Sequence, residues 1–335
     1  MLDDGSSRAH ARAYQRLNPD QVLDAVESQG FPCDGRMLAL NSFENRVYQV
    51  GLEDGEPVIA KFYRPARWSD GAIQEEHDFA RQLADADVPV VPPLADTAGR
   101  TLFRQGPFRF ALFPRVGGRA PQLDNQAHLE QLGRFLGRLH AVGAAGAFRE
   151  RPSLNLESYG IESYRFLLKE GFIPPELTAA YRSLAEDLIQ RIQWCFERAG
   201  DVGWIRTHAD FHMGNILWTE TGPRVVDLDD ARTAPAVQDL WMLISGERGE
   251  RTWGLHAVLD GYTQFRDFDP RELHLVEALR TLRMMHYYAW IARRWTDPAF
   301  PRMFSWFNTQ RCWEDHILAL REQAAAMDEE PLHWP

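Results

Sequence analysis

The chain has 335 residues, 44% hydrophobic and 25% charged, enough to bury a large core and to form two lobes. A formal charge of −11 argues against binding nucleic acid, whose phosphates demand clustered cations. The longest apolar run, Tyr287 to Ala292, is six residues, far short of a membrane span.

The N-terminus lacks the basic start and apolar stretch of a signal peptide, so a cytoplasmic chain with no membrane partner is expected. Cys33, Cys195 and Cys312 are widely spaced, which suggests neither a disulfide framework nor a zinc site. Residues 1–16 read as a loose polar lead. Asn18-Pro19-Asp20 caps a short helix with Val22 and Val26 inward.

Strand-like runs at 37–40, 46–52, 57–63, 101–104 and 108–113 follow, interrupted by a helix over 70–84. Glu53-Asp54-Gly55-Glu56 is a hairpin turn between two of these runs. Lys61 lies in Val58-Ile59-Ala60-Lys61-Phe62, where a lone lysine is ordinarily a solvated edge charge. Ser69 opens the helix, and Ile73, Glu76, Ala80 and Leu83 share one face at helical spacing. Glu76 therefore points inward, with Glu75 as second choice. Phe110 to Gly118 ends the sheet with a proline and paired glycines, a natural hinge.

Beyond it the chain reads as mostly helical. Leu129, Leu132, Leu136 and Leu139 recur on one helix face, and further helices are expected near 160–170, 175–199, 236–246 and 271–295. His140 reads as a core histidine with a backbone partner. Helix packing accounts for the aromatic and basic segment His286 to Trp295, with a substrate-groove role for Arg293 or Arg294 as the alternative. Residues beyond Ala326 read as a frayed acidic tail.

The most informative stretch is His208-Ala209-Asp210-Phe211-His212-Met213-Gly214-Asn215, followed by Asp227-Leu228-Asp229-Asp230. Phosphoryl transfer from a nucleotide requires a carboxylate at the attacking hydroxyl and oxygen ligands for a phosphate-bound cation. A kinase catalytic loop places Asn five residues after its Asp, the interval from Asp210 to Asn215. Ile216-Leu217-Trp218 and Arg224-Val225-Val226 form two strands about a turn at Glu220 to Pro223, which returns Asp227 to Asn215. Asp210 is then the base, with Asn215 and Asp227 as Mg2+ ligands and His208 bonded to the loop backbone. Lys61 becomes the ATP-phosphate lysine and Glu76 its carboxylate partner. No G-x-G-x-x-G precedes Val47; Asn41 and Ser42 stand where a phosphate-covering loop belongs. A two-metal hydrolase built on His208, Asp210, His212, Asp227 and Asp229 is a rival use of the same residues, but it leaves the first third of the chain unemployed.

Together these motifs resemble the aminoglycoside phosphotransferase and choline kinase superfamily, which is protein-kinase-like. Ala209 and Met213 stand where that group commonly has glycine and proline. Asn41-Ser42-Phe43-Glu44-Asn45-Arg46-Val47-Tyr48-Gln49, Val226 to Arg232 and Pro235 to Leu243 are similar in particular to its bacterial stress response kinase A group. The resemblance implies an α+β, bilobal fold: residues 1–115 a small antiparallel-sheet N-lobe with one main helix, and residues 116–335 a larger, mostly helical C-lobe. It also implies a cytoplasmic protein serine/threonine kinase using ATP and Mg2+; a monomer is expected. By position, Asp210 would be the base, Asn215 and Asp227 the metal ligands, Ser42 part of the nucleotide loop, Lys61 a phosphate contact and Asp239 a buried brace. A small-molecule kinase acting on an amino sugar or a choline-like hydroxyl compound uses the same catalytic residues and remains the alternative.

Overall fold

In the computed structural model, residues 17–334 are described; the polar lead read over 1–16 lies outside them. The chain divides into two units. The first comprises the described residues to Pro121 with Phe148–Arg151 and His212–Ala231; the second comprises Gln122–Ala147, Pro152–Phe211 and the described residues from Arg232 onward.

In the first unit, α1 (Pro19–Glu27) begins as its sequence dictates. The Asn18 side chain accepts from the Gln21 amide while the Gln21 side chain accepts from Asn18, a reciprocal capping box. The sheet strands are β1 (Cys33–Ala39), β2 (Arg46–Leu52) and β3 (Val58–Phe62). Helix α2 (Asp70–Asp85) follows, with the Ser69 hydroxyl accepting from the Ala72 amide. Strands β4 (Phe103–Gln105) and β5 (Phe108–Pro114) complete an antiparallel sheet ordered β1-β2-β3-β5-β4. β1 begins four residues earlier than its apolar run, with an irregularity between Cys33 and Met37.

Strand alternation decides what each face does. Val50, Val58, Ala60, Phe62, Phe110 and Leu112 pack with Val22, Ala25 and Val26 of α1 in one core. Tyr63, Ala111 and Ile73 of α2 make a second cluster, so Lys61 points to the α2 face. A separate hairpin pairs Ile216–Thr219 with Gly222–Val225, Ile216 opposite Val225. Gly118 packs tightly on it: a Cβ there would fall 2.8 Å from Leu217 Cβ.

The second unit is helical, with α3 (Gln126–Ala144), α4 (Glu162–Lys169) and α5 (Pro175–Ala199). A two-stranded pair joins Ile205–Thr207 to Arg232–Ala234. Then come α6 (Val237–Leu240), α7 (Arg248–Tyr262), α8 (Val276–Arg293), α9 (Ala299–Met303) and α10 (Gln310–Asp328). The long helix expected at 236–246 is shorter, giving way to a 3-10 turn at Trp241–Leu243. The expected frayed tail is instead packed: Met327 and Leu332 are buried, and the Trp334 ring sits edge-on to Phe268. Its acidic residues are anchored too, Asp328 by Arg191 and Glu329 by Arg248 Nη1 at 3.4 Å.

Helices α3 and α7 meet at glycines. A Cβ on Gly133 would fall 1.9 Å from the Val258 carbonyl oxygen, and one on Gly261 would fall 1.9 Å from that of Glu130. Only hydrogen at these positions permits such backbone approach. All three cysteines are free. Burial, then Glu27, Asp34 and Glu53, push the Cys33 thiol up to about 11, away from reactivity. Among the described residues no helix is long and apolar enough to cross a membrane.

Candidate active site

In the first unit the functional side chains converge on Lys61. Its Nζ donates to Glu76 Oε1 at 3.1 Å and to Asp227 Oδ1 at 2.9 Å, and lies 3.5 Å from Asp229 Oδ1. Strand β3 delivers the lysine, α2 the glutamate, and the hairpin end the two aspartates. Burial alone would lower the Lys61 amine, but Asp227, Asp229 and Glu76 outweigh it and hold it well above its ordinary value. The lysine therefore stays charged in the interior. Burial raises the Glu76 carboxyl, opposed by Lys61 and Arg151.

The hairpin places Asn215 beside the segment bearing Asp227, since the Val226 amide donates to the Asn215 carbonyl at 3.0 Å. Asp227 has φ 63° and ψ 66°, a left-handed conformation that costs an ordinary residue about 1 kcal/mol but that Asp tolerates. Its side chain is 51% exposed, whereas Asn215 is buried. Carboxylate and amide oxygens are hard donors, the kind a Mg2+ takes when water and phosphates fill its other positions. Among the described residues no three His, Cys, Asp or Glu side chains are grouped to hold a metal.

Asp229, by contrast, is buried and structural. Its Oδ2 accepts from Asn45 Nδ2 at 3.1 Å and pairs with Arg67 Nη1, while Arg67 Nη2 meets Asp230 Oδ1 at 2.6 Å. Burial would raise the Asp229 carboxyl, but Arg67 and Lys61 hold it below the usual range. Ser42 closes its loop, donating to the Asn45 carbonyl at 3.0 Å. That hydroxyl bonds the loop's own backbone.

Sequence reasoning missed Arg151. Buried in the first unit, it donates to the Asp229 carbonyl from Nη2 at 2.8 Å and from Nη1 at 3.1 Å, and to Glu76 Oε2 at 3.4 Å. Its guanidinium lies over the Trp68 ring. Glu75 anchors the Arg151 segment, accepting from the amides of Arg149, Glu150 and Arg151. The two neighbouring glutamates thus divide their work: Glu76 faces the lysine, and Glu75 caps a distant loop. Nothing in local spacing signals Arg151.

The second unit carries Asp210 on a loop braced by Asp239. The fully buried Asp239 carboxylate accepts from the amides of His208 at 2.8 Å and Ala209 at 2.7 Å, and from His140 Nε2 at 3.0 Å. His140 Nδ1 in turn meets the Tyr262 hydroxyl at 3.1 Å. Ala209 has φ 64°, so the loop turns through a left-handed residue, fixed by these bonds and by Gln238 Nε2 on its carbonyl at 3.0 Å. His208 Nδ1 accepts from the Asp210 amide at 3.3 Å, a loop-shaping role. Arg283 Nη1 of α8 lies 2.7 Å from Asp210 Oδ1, another contact that sequence alone does not reveal. Arg293 and Arg294 pack over the Phe166 and Trp290 rings.

Residues 37–276 match the model of the phosphotransferase enzyme family. The chain belongs to that family. It is 42% identical over 322 residues to stress response kinase A of Shigella flexneri, covering 96% of this chain and 97% of that one. It is 41% identical over 323 residues to the serine/threonine protein kinase RdoA of Salmonella typhimurium, again covering 96% and 97%. Within the family the chain thus falls with the stress response kinase A group. A solved amicoumacin kinase in complex with AMP-PNP, Ca2+ and Ami shares the fold, with a TM-score of 0.70, 20% identity and 96% of each chain covered. The fold is accordingly the α+β kinase-like one, with its antiparallel sheet and helical remainder, and the enzyme is a kinase.

Proposed function

We propose that this enzyme is an ATP-dependent protein serine/threonine kinase of the cytoplasm, acting as a monomer with Mg2+ in a bacterial stress response. The observation carrying this reading is the Lys61–Glu76–Asp227 constellation in a chain 41% identical to a protein named as a serine/threonine protein kinase. In the reaction, Asp210 accepts the proton of the acceptor hydroxyl as its oxygen bonds the γ-phosphorus and the bond to the β-phosphate oxygen breaks. Lys61 binds phosphate oxygens and is oriented by Glu76. Asn215 and Asp227 would hold the cation, which when bound neutralises charge on the phosphates. The loop around Ser42 covers the nucleotide. Residues 1–115 supply the nucleotide side and 116–335 the acceptor side.

Labelled ATP offered with a generic protein and with a panel of amino sugars tests the assignment. Label on polypeptide serine or threonine supports it; label in the sugars alone refutes it. Asp210→Ala is expected to cut turnover at least ~100-fold, the scale of general-base assistance, while leaving nucleotide binding intact. Asp227→Ala is expected instead to weaken Mg2+-dependent nucleotide binding. The likeness to the amicoumacin kinase fold supports a small-molecule acceptor as the second reading.

A further inference from the structure

Asp210 is the group that meets the acceptor in the reading above, and the second unit sets a cation against it. Arg283 Nη1 lies 2.7 Å from Asp210 Oδ1, and the arginine side chain is still 40% exposed. Three and four residues along α8 stand His286 and Tyr287, on the same helical face. The His286 ring stacks on Tyr159 at 4.2 Å, and the Arg232 guanidinium lies over the other partner of that stack, 5.0 Å from the Tyr159 ring centroid. Tyr287 is itself exposed. A chain carrying a net charge of −11 thus presents a solvent-reaching guanidinium at its catalytic carboxylate.

We propose that Arg283 is the acceptor-selecting residue, and that the enzyme prefers a serine or threonine flanked by a carboxylate side chain. The inference rests on the protein-kinase reading. An ammonium group beside the acceptor hydroxyl, as in an amino sugar or a basic peptide, is brought against Arg283 and repelled. A flanking Asp or Glu forms a charge-assisted, fork-shaped pair with the guanidinium. Arg283 already positions the Asp210 carboxylate, so the same pairing draws the acceptor oxygen toward the base. Like-charge juxtaposition at an interface suppresses wrong partners, so cationic acceptors are selected against.

Three matched peptides, each with one serine flanked by Glu, Gln or Lys, are assayed with wild-type enzyme, Arg283→Lys and Arg283→Glu. The wild type is expected to show a kcat/KM at least ~10-fold higher for the Glu peptide than for the Lys peptide, about one charge-assisted hydrogen bond. Arg283→Lys keeps that order and Arg283→Glu inverts it. A residue that merely held Asp210 in place would slow all three peptides alike without inverting their ranking. The proposal is overturned if the wild type ranks the Lys peptide first or shows no ranking, or if Arg283→Glu keeps the Glu preference. Should Arg283→Glu not fold, Arg283→Gln takes its place, and an undiminished Glu-over-Lys preference in it overturns the proposal. Absence of label from every peptide, with label in amino sugars, overturns the protein-kinase reading itself and is thereby distinguished from a wrong peptide ranking.

Discussion

Lys61 donates to Asp227 Oδ1 at 2.9 Å across 166 residues of sequence. The same ammonium holds Glu76 at 3.1 Å. Removing it leaves the buried Glu76 with Arg151 as its remaining cation and takes a partner from Asp227 and Asp229. Lys61→Met is therefore expected to destabilise the protein by about 3–5 kcal/mol, the usual result of deleting one side of a buried pair. Adding Glu76→Gln to it should recover part of the loss, because the two sites are coupled. Urea denaturation of the single and double variants measures both; strict additivity would contradict the arrangement.

Arg151 supplies a second prediction. Its guanidinium serves the Asp229 carbonyl and the Glu76 carboxylate at once, a task for a planar fork that a single ammonium cannot copy. Arg151→Lys is expected to lose roughly 2 kcal/mol and Arg151→Met more. Both should weaken Mg2+–ATP binding by calorimetry, since Asp229 follows Asp227 by two residues. Normal nucleotide affinity in Arg151→Met would show that the clamp has no bearing on the metal loop.

The brace at Asp239 predicts a more local failure. Each carboxylate oxygen receives a backbone N–H, and one also receives His140. An Asn amide would turn a donor toward a donor. Asp239→Asn is expected to cost about 2 kcal/mol and to lower kcat, with the KM for ATP little changed. Retained kcat would mean that the Asp210 loop keeps its shape without the brace.

Glu272 gives a pH dependence. Burial raises its carboxyl from 4.5 to about 7, although its Oε2 accepts from the Val237 amide at 2.8 Å. Below pH 4.5 the group is protonated folded and unfolded alike. Between pH 4.5 and 7 the unfolded chain releases the proton while the folded chain keeps it, so stability falls as pH rises. Above pH 7 the loss levels off at roughly 3 kcal/mol. Glu272→Gln keeps an acceptor for Val237 and never ionises. Relative to wild type its melting temperature should rise progressively from pH 5 to pH 8; a constant difference would contradict the assignment.

Short-range signals carried much of this molecule. The capping box at Asn18, the Ser69 cap, the strand alternation around Lys61 and the helical phase of Glu76 are all local rules, and the structure follows them. The hairpin that returns Asp227 to Asn215 was legible because its turn and both strands lie within a dozen residues. What escaped depends on tertiary approach. Arg67, Arg151 and Arg283 carry no periodic or motif signature, since a surface arginine and a buried clamp look alike in sequence. The tail beyond Ala326 was misjudged because its acidic residues masked three apolar anchors, and α7 and α10 went unrecognised because polar residues interrupt their apolar stripes.

Gly133 and Gly261 leave no slack where α3 and α7 cross. Tyr262 and His140, the two residues that pass support to Asp239, ride on those same helices. A single added methyl at either glycine would wedge the pair apart and carry the histidine with it. The orientation of the Asp210 loop is thus set by an absence of atoms many residues away, and alanine at either glycine would cost more activity than its size suggests.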